Sequence, residues 1–276
     1  MPERQQGAAA QGRGTAMGRE NGDVDVDVDV AVWAARAAAT VLMDLRMQVF
    51  PPLELRARGD RDAQTAIAAV LAQHRPQDAV LSEEAPDDSD RLTADRVWII
   101  DPLDGTKEYG EPGRSDWAVH VALWESGELT SAAVALPARG LVLTTADPTG
   151  GAAAVPAGAG APRFAISRTR ATALVKDVAA AMNAELVPLG SAGYKASAVI
   201  LGEVDAYVHT GGQYEWDSAA PVAIARAAGL HASRVDGSPL RYNQADVRLP
   251  DLVICRPELA KDILALLAQM NTGATS

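Results

Sequence analysis

Three acidic clusters in this chain sit where apolar runs end. Asp101-Pro102-Leu103-Asp104-Gly105-Thr106 follows Val97-Trp98-Ile99-Ile100, Glu83-Glu84 comes soon after Ala79-Val80-Leu81, and Asp217 lies within Glu215-Trp216-Asp217-Ser218-Ala219-Ala220-Pro221. Carboxylates beside apolar residues are costly unless something positive neutralises them. None of the clusters contains His or Cys. All-oxygen donor sets of this kind suit Mg²⁺, which takes octahedral oxygen ligands and leaves room for phosphate and water. The chemistry implied is metal-assisted hydrolysis of a phosphate ester. A phosphate monoester repels an anionic nucleophile, and its leaving oxygen develops charge. Two metal ions roughly 3.5–4 Å apart hold both oxygens and lower the pKa of a bound water. Asp101 and Asp104, on a turn stiffened by Pro102, can point inward together while the Leu103 carbonyl adds an oxygen. Gly105 lets the backbone approach a phosphate. Residues 105–107 would start a helix whose free N–H groups favour an anion, and the Thr106 hydroxyl can orient water.

Composition narrows the partners. A chain of 276 residues with 48% hydrophobic content can bury a large core. Its net charge of −11 argues against a nucleic-acid polymer, which needs a basic stripe to displace counterions. A small phosphorylated substrate remains compatible, because metal ions and a few Lys or Arg supply local positive charge. The lone Cys255 cannot form an internal disulfide and suits a reducing cytosol, so a cytoplasmic location is expected. In Leu252-Val253-Ile254-Cys255 it reads as a small buried hydrophobe. Residues 1–22 carry no apolar core of a signal peptide, and the Val30–Met43 run, broken by Arg36, is too short to span a bilayer.

The elements that must position these residues follow from pattern. Residues 1–22 read as a disordered extension and 23–276 as one catalytic domain, with sub-domains about 23–150 and 160–276 on either side of the Gly/Ala/Pro-rich stretch 146–162. Asp-Val alternation at 23–30 runs into an Ala-rich helix through Met47, ended by Pro51-Pro52. Asp60 is expected to cap a helix reaching about His74. Strands are expected at 79–82, 97–101, 117–125, 128–137 and 141–145, with Ser126-Gly127 as a hairpin turn. Beyond 162 the pattern alternates: strand 163–166, helix 170–182, strand 185–188, helix 193–202, strand 205–209, helix 217–229, strand 251–255 and helix 258–270. The whole reads as layered mixed α/β.

The pair Asp101-Pro-Leu-Asp-Gly-Thr106 and Trp216-Asp217-Ser-Ala-Ala220 resembles the signature of the inositol monophosphatase superfamily, from about Val30 to the C-terminus. That resemblance implies an alternating α-β-α-β-α sandwich and a lithium-sensitive phosphatase using two or three Mg²⁺ ions. It implies Glu83, Asp101 and the Leu103 carbonyl on the first metal, Asp101 as the bridge, and Asp104 and Asp217 on the second. Asp60 then works with Thr106 on the attacking water, although Ala57-Arg58-Gly59 replaces the usual Thr-rich approach to it. Thr106-Lys107-Glu108-Tyr109, Ser167-Arg168 and Glu215-Trp216-Asp217 are similar to the bisphosphate nucleotidase branch. That branch removes the 3′-phosphate of adenosine 3′,5′-bisphosphate, a by-product of sulfate activation. The resemblance puts Gly105, Thr106, Lys107, Ser167, Arg168, Ser191, Lys195 and Asp217 around the substrate, with Ser191 to Lys195 on its second phosphate. A homodimer is a family-level expectation.

Plainer readings stand beside these. Lys195 can simply snorkel from an apolar helix, and Arg168 and Arg170 can be a solvated helix start. Asp87, Asp88 and Asp90 read as a polar loop. His74, His120, His209 and His231 share no ligand spacing, and His120 reads as a satisfied core residue. Inositol monophosphatase or fructose-1,6-bisphosphatase activity is the alternative within the superfamily, and a non-catalytic metal-binding protein the alternative outside it.

Overall fold

A computed structural model describes residues 21–152 and 160–273. Its first helix, α1 (Asn21–Arg46), absorbs the Asp-Val run. Buried Asp27, Val28, Val30, Ala31, Ala34, Ala35, Ala38 and Leu42 recur every three or four residues, so a helical face wins over the alternation. Burial alone would raise the pKa of Asp27, but hydrogen bonds from Arg96 and Arg75 hold it below the usual carboxylate range. Asn21 and Gly22, expected in the extension, belong to α1; residues 1–20 lie outside the described residues.

The expected helix start at Asp60 is incorrect. Helix α2 spans Pro52–His74, and Asp60 lies well inside it. Proline is at home in a first turn, where its missing N–H would find no helical partner anyway. Pro51-Pro52 therefore opens this helix as well as closing the previous segment. Gly59 then lets α2 pack close: a Cβ there would meet Tyr109 Cε1 at 2.7 Å and Leu103 Cδ2 at 2.9 Å.

The remaining elements are β1 (Ala79–Ser82), β2 (Arg96–Asp104), the single turn α3 (Thr106–Tyr109), β3 (Ala118–Glu125), β4 (Glu128–Leu136) and β5 (Leu141–Thr144). Then come β6 (Arg163–Ser167), α4 (Ala173–Ala181), β7 (Glu185–Leu189), α5 (Ala192–Ile200), β8 (Ala206–His209), β9 (Gln213–Tyr214) and α6 (Glu215–Ala227). Strands β10 (His231–Ser233), β11 (Arg248–Leu249) and β12 (Leu252–Cys255) precede α7 (Pro257–Gly273). Strands β9, β10 and β11 have no counterpart in the sequence reading; each is only two or three residues long, below the length at which periodicity is visible.

One sheet has the order β1-β2-β3-β4-β5, with β1 and β2 parallel and the rest antiparallel. The other runs β10-β12-β8-β6-β7, with β6 parallel to both β7 and β8. Both sheets are covered on both faces. Trp98, Ile100, Val119, Val121 and Leu123 face α1 and α2, whereas Val97, Ile99, Ala118 and Ala122 face the opposite way, toward α5 and α6. In the second sheet Ala165, Tyr207, Leu252 and Ile254 join that middle layer. Phe164, Ile166, Val208 and Val253 pack on α4 and α7. The result is the expected α-β-α-β-α sandwich. Strands buried on both faces read as continuous apolar runs, which is why they were visible in the sequence.

Gly59 yields a test of this packing. Glycine to alanine inside a helix ordinarily stabilises by roughly 1 kcal/mol. Here overpacking against Tyr109 and Leu103 should outweigh that gain, at about 1–3 kcal/mol. Gly59→Ala should therefore lower the thermal midpoint, and a raised midpoint would show that α2 has room to shift.

Candidate active site

The acidic site is built by a break in a strand. Residues three apart on a regular strand point to opposite faces, so Asp101 and Asp104 on an unbroken β2 would diverge. Asp101 is paired with His120 and Asp104 with Ala118, so β2 uses three steps where β3 uses two. This is a β-bulge, and the extra residue restores parity. Pro102, which has no N–H to give the ladder, sits in it, and the Leu103 N–H bonds Asp101 Oδ1 instead at 3.0 Å. Both carboxylates consequently face α5 and α6. The expected Pro-stiffened turn is therefore a bulged strand end with the same outcome. Gly105, at φ 87°, then reverses the chain into α3 in a conformation that other residues avoid.

Partners from the second half complete the cluster. Asp104 accepts the N–H groups of Ala192 at 3.1 Å and Gly193 at 2.5 Å, in the first turn of α5. Asp217, in the first turn of α6, accepts the Tyr214 N–H at 2.6 Å. Carboxylate oxygens of Asp101, Asp104 and Asp217 come within 4.8 Å of one another. Glu83, more open to solvent, lines the same cavity as this group.

Burial and mutual repulsion drive Asp101, Asp217 and Glu83 toward the neutral form. Asp101, 1% exposed, titrates well above the ordinary carboxylate range because it is desolvated and faces Asp104 and Glu83. Asp217 is pushed up to about 7 by burial and then by Asp104. Glu83 is pushed to about 7 by desolvation, Asp217 and Asp104. No Lys or Arg among the described residues forms an ion pair with Asp101, Asp104 or Asp217, so the missing counter-charge must come from elsewhere. Clustered hard oxygen donors lacking a cation fit a divalent metal.

Beside the cluster, Thr106 Oγ1 lies 3.2 Å from Asp60 Oδ1 and 3.1 Å from the Leu103 carbonyl. Its one proton can serve only one of these acceptors at a time. Asp60 is raised to about 6 by burial and the nearby Glu84, with the Thr106 hydrogen bond opposing. Asp60 is thus brought to its expected partner from a position within α2.

A cavity of about 520 Å³ is lined by these acids and by several cationic and hydroxyl side chains. Lys107, Arg168, Arg170, Ser167, Ser191 and Lys195 all line it. Their states differ. Arg168 is held by Glu108 at 2.8 Å and Glu111 at 3.0 Å, so its charge is already paired. Lys195 does not snorkel to bulk water: it is 4% exposed, and its Nζ bonds the carbonyls of Gly190 and, at 2.7 Å, Ser191. Burial lowers its pKa to about 8, against the pull of Asp104 and Glu108. Ser191 Oγ accepts the Tyr194 N–H and Ser167 Oγ the Arg170 N–H, so both hydroxyls also cap local turns. The Arg170 guanidinium has no carboxylate partner among the described residues, and its field lowers the pKa of both Lys195 and Asp217.

Sequence reading missed two roles. His120 is the buried core residue expected, and it also lies against the cluster, with Nδ1 3.0 Å from the Trp216 carbonyl and Nε2 3.3 Å from Asp104 Oδ2. It therefore touches both acidic motifs, and only the register of β3 against β2 could reveal that. Asp116, paired with Arg114, accepts the Gly190 N–H at 2.6 Å and so fixes the loop before α5.

This chain belongs to the inositol monophosphatase family, whose profile matches residues 29–271. Within that family it is 53% identical over 240 residues to the 3′-phosphoadenosine 5′-phosphate phosphatase of Mycobacterium bovis, covering 84% of this chain and 89% of that one. It is 30% identical to the 3′(2′),5′-bisphosphate nucleotidase CysQ of Escherichia coli, over 72% of this chain and 88% of the relative. The crystal structure of CysQ from Bacteroides thetaiotaomicron superposes with a TM-score of 0.72 at 25% identity, covering 84% of this chain and 97% of that one.

The raised carboxylates imply a pH dependence of stability without metal. A group whose folded pKa is raised favours the folded state while protonated. That contribution is complete below the unfolded value of about 4 and is lost as pH rises through the folded values near 6 to 7. In chelator, the thermal midpoint should fall between about pH 4 and pH 7. Asp101→Asn should flatten this fall and raise the metal-free midpoint at pH 7, while weakening stabilisation by added Mg²⁺. A flat parent profile would remove the like-charge account.

Proposed function

We propose that the protein is a Mg²⁺-dependent phosphatase that removes the 3′-phosphate of adenosine 3′,5′-bisphosphate to leave AMP. The observation that carries this reading is the lining of one cavity: carboxylates that need a cation share it with Lys195 and with Arg170, which has no carboxylate partner among the described residues. A substrate with two phosphates can satisfy both sets of groups. The names borne by the mycobacterial and Escherichia coli relatives support the same substrate class. The lone, buried Cys255 suits a reducing cytoplasm, where such a bisphosphate arises as a by-product of sulfate activation. No helix of the described residues is long and apolar enough to cross a membrane.

Glu83, Asp101, the Leu103 carbonyl, Asp104 and Asp217 would hold the metal ions. Bound there, Mg²⁺ supplies positive charge to the phosphate and acidifies water. The chain's own groups do the rest. Thr106 Oγ1 would orient the attacking water and take its proton while passing its own to Asp60, which lies within hydrogen-bond distance of it as a base must; the departing 3′-oxygen would take its proton from solvent water. Lys195 and Arg170 orient the substrate through its other phosphate, and Asp104 is kept in place by the amides of Ala192 and Gly193.

Phosphate release from adenosine 3′,5′-bisphosphate, inositol 1-phosphate and fructose 1,6-bisphosphate, with Mg²⁺ or with chelator, tests the reading. The nucleotide should have the highest kcat/KM, and chelator should abolish turnover. A preference for inositol 1-phosphate would replace the nucleotidase reading. Hydrogen bonds to charged groups are worth about 1.5–3 kcal/mol, so Arg170→Ala should lose about tenfold to a hundredfold in kcat/KM on the bisphosphate. It should change little on inositol 1-phosphate. Thr106→Ala should depress kcat far more than KM; the reverse split would make Thr106 a binding residue.

A further inference from the structure

We propose that Tyr214 is the stacking platform for the purine base, an assignment that rests on the nucleotide reading above. Three tyrosine and histidine rings line the cavity: Tyr207, His209 and Tyr214. Tyr207 is 1% exposed and covered by Lys195, whose Nζ lies 5.1 Å from the ring centroid. The His209 ring is tied to the Gly212 carbonyl at 3.0 Å. Tyr214 is different. At 45% exposure it is among the most open large hydrophobic side chains of the described residues outside α1, α2 and the loop joining them.

Its ring is also set in place. Tyr214 stacks on Trp216 with centroids 4.8 Å apart and planes 11° from parallel. Trp216 packs on the middle hydrophobic layer and does not line the cavity, so Tyr214 is the ring of the pair that a ligand can reach. Its backbone is held twice. The β9–β11 ribbon pairs Tyr214 with Arg248, and its N–H binds Asp217 Oδ2 at 2.6 Å. That second tie fixes the ring relative to the acidic cluster. A flat aromatic surface, exposed and backed by a second ring, is what base stacking uses, and every base offers it a π-face. Phosphate and metal contacts cannot distinguish a nucleotide from a sugar phosphate; an aromatic platform can.

The test compares two ligands that differ by the base alone. AMP and ribose 5-phosphate are measured as competitive inhibitors of the full-length enzyme, with parent, Tyr214→Ala and Tyr214→Phe. Stacking is worth about 1–3 kcal/mol per base by alanine substitution, so Tyr214→Ala should weaken AMP inhibition about fivefold to a hundredfold. Ribose 5-phosphate inhibition should stay unchanged, and Tyr214→Phe, which keeps the ring, should behave as the parent. Equal weakening for both ligands would mean that Tyr214 only shapes the Asp217 loop, and no weakening for AMP would remove the platform; either result overturns the assignment. If the parent releases no phosphate from adenosine 3′,5′-bisphosphate, the proposed function falls by itself. The same inhibition series against whichever phosphomonoester is hydrolysed still decides Tyr214.

Discussion

The structure depends on holding like charges together out of water. Asp101, Asp104 and Asp217 converge within 4.8 Å, with Glu83 alongside. Repulsion and desolvation both oppose that arrangement. A flexible scaffold would relieve it by moving one carboxylate away. Here each is fastened by something that cannot easily yield: Asp101 by its place at the end of a central strand, Asp104 by two amides of α5, and Asp217 by the Tyr214 amide. The hydrogen bonds come from backbone, so they fix position without supplying a full compensating charge. The cluster therefore stays hungry for a cation.

The same constraint explains why the molecule is layered. The two acidic motifs lie more than a hundred residues apart; one ends a strand of the first sheet and the other opens α6 in the middle helical layer. His120 bridges them physically, between the Trp216 carbonyl and Asp104. The small residues Ala118, Ala122, Ala132, Ala219, Ala220 and Ala223 fill the same middle layer. Small side chains let α6 lie close on the first sheet, which brings Asp217 to the end of β2. Rigidity of this kind is a property of dense packing rather than of any one contact.

Much of this was legible in the sequence, for identifiable reasons. Strands buried on both faces announce themselves as apolar runs, and the acids at their ends marked the site before any fold was known. The bulge was not legible: Asp101-Pro102-Leu103-Asp104 reads equally well as a turn, and only the pairing with His120 and Ala118 separates the two. Asp60 was found but misplaced, because a local capping preference was weighed above the Pro-Pro start that the longer helix uses. Among the cationic residues of the cavity, residue type alone could not tell Arg168, paired with two glutamates, from Arg170, which has no carboxylate partner among the described residues. Pairing across sixty residues is a tertiary fact.

That difference between neighbouring arginines bears on how the cavity selects. A guanidinium already bound to two carboxylates offers an incoming phosphate little, since the gain must exceed the contacts it gives up. Glu108 and Glu111 therefore act against Arg168 as a second-phosphate ligand and for it as a brace on the segment after α3. Lys195 is likewise half spent on the carbonyls of Gly190 and Ser191, although an ammonium keeps a third donor. Arg170, exposed at the cavity and without a carboxylate partner among the described residues, keeps its guanidinium donors open to an incoming anion. Charge of both signs therefore lines one cavity: carboxylates that need a cation, and side-chain cations able to receive an anion.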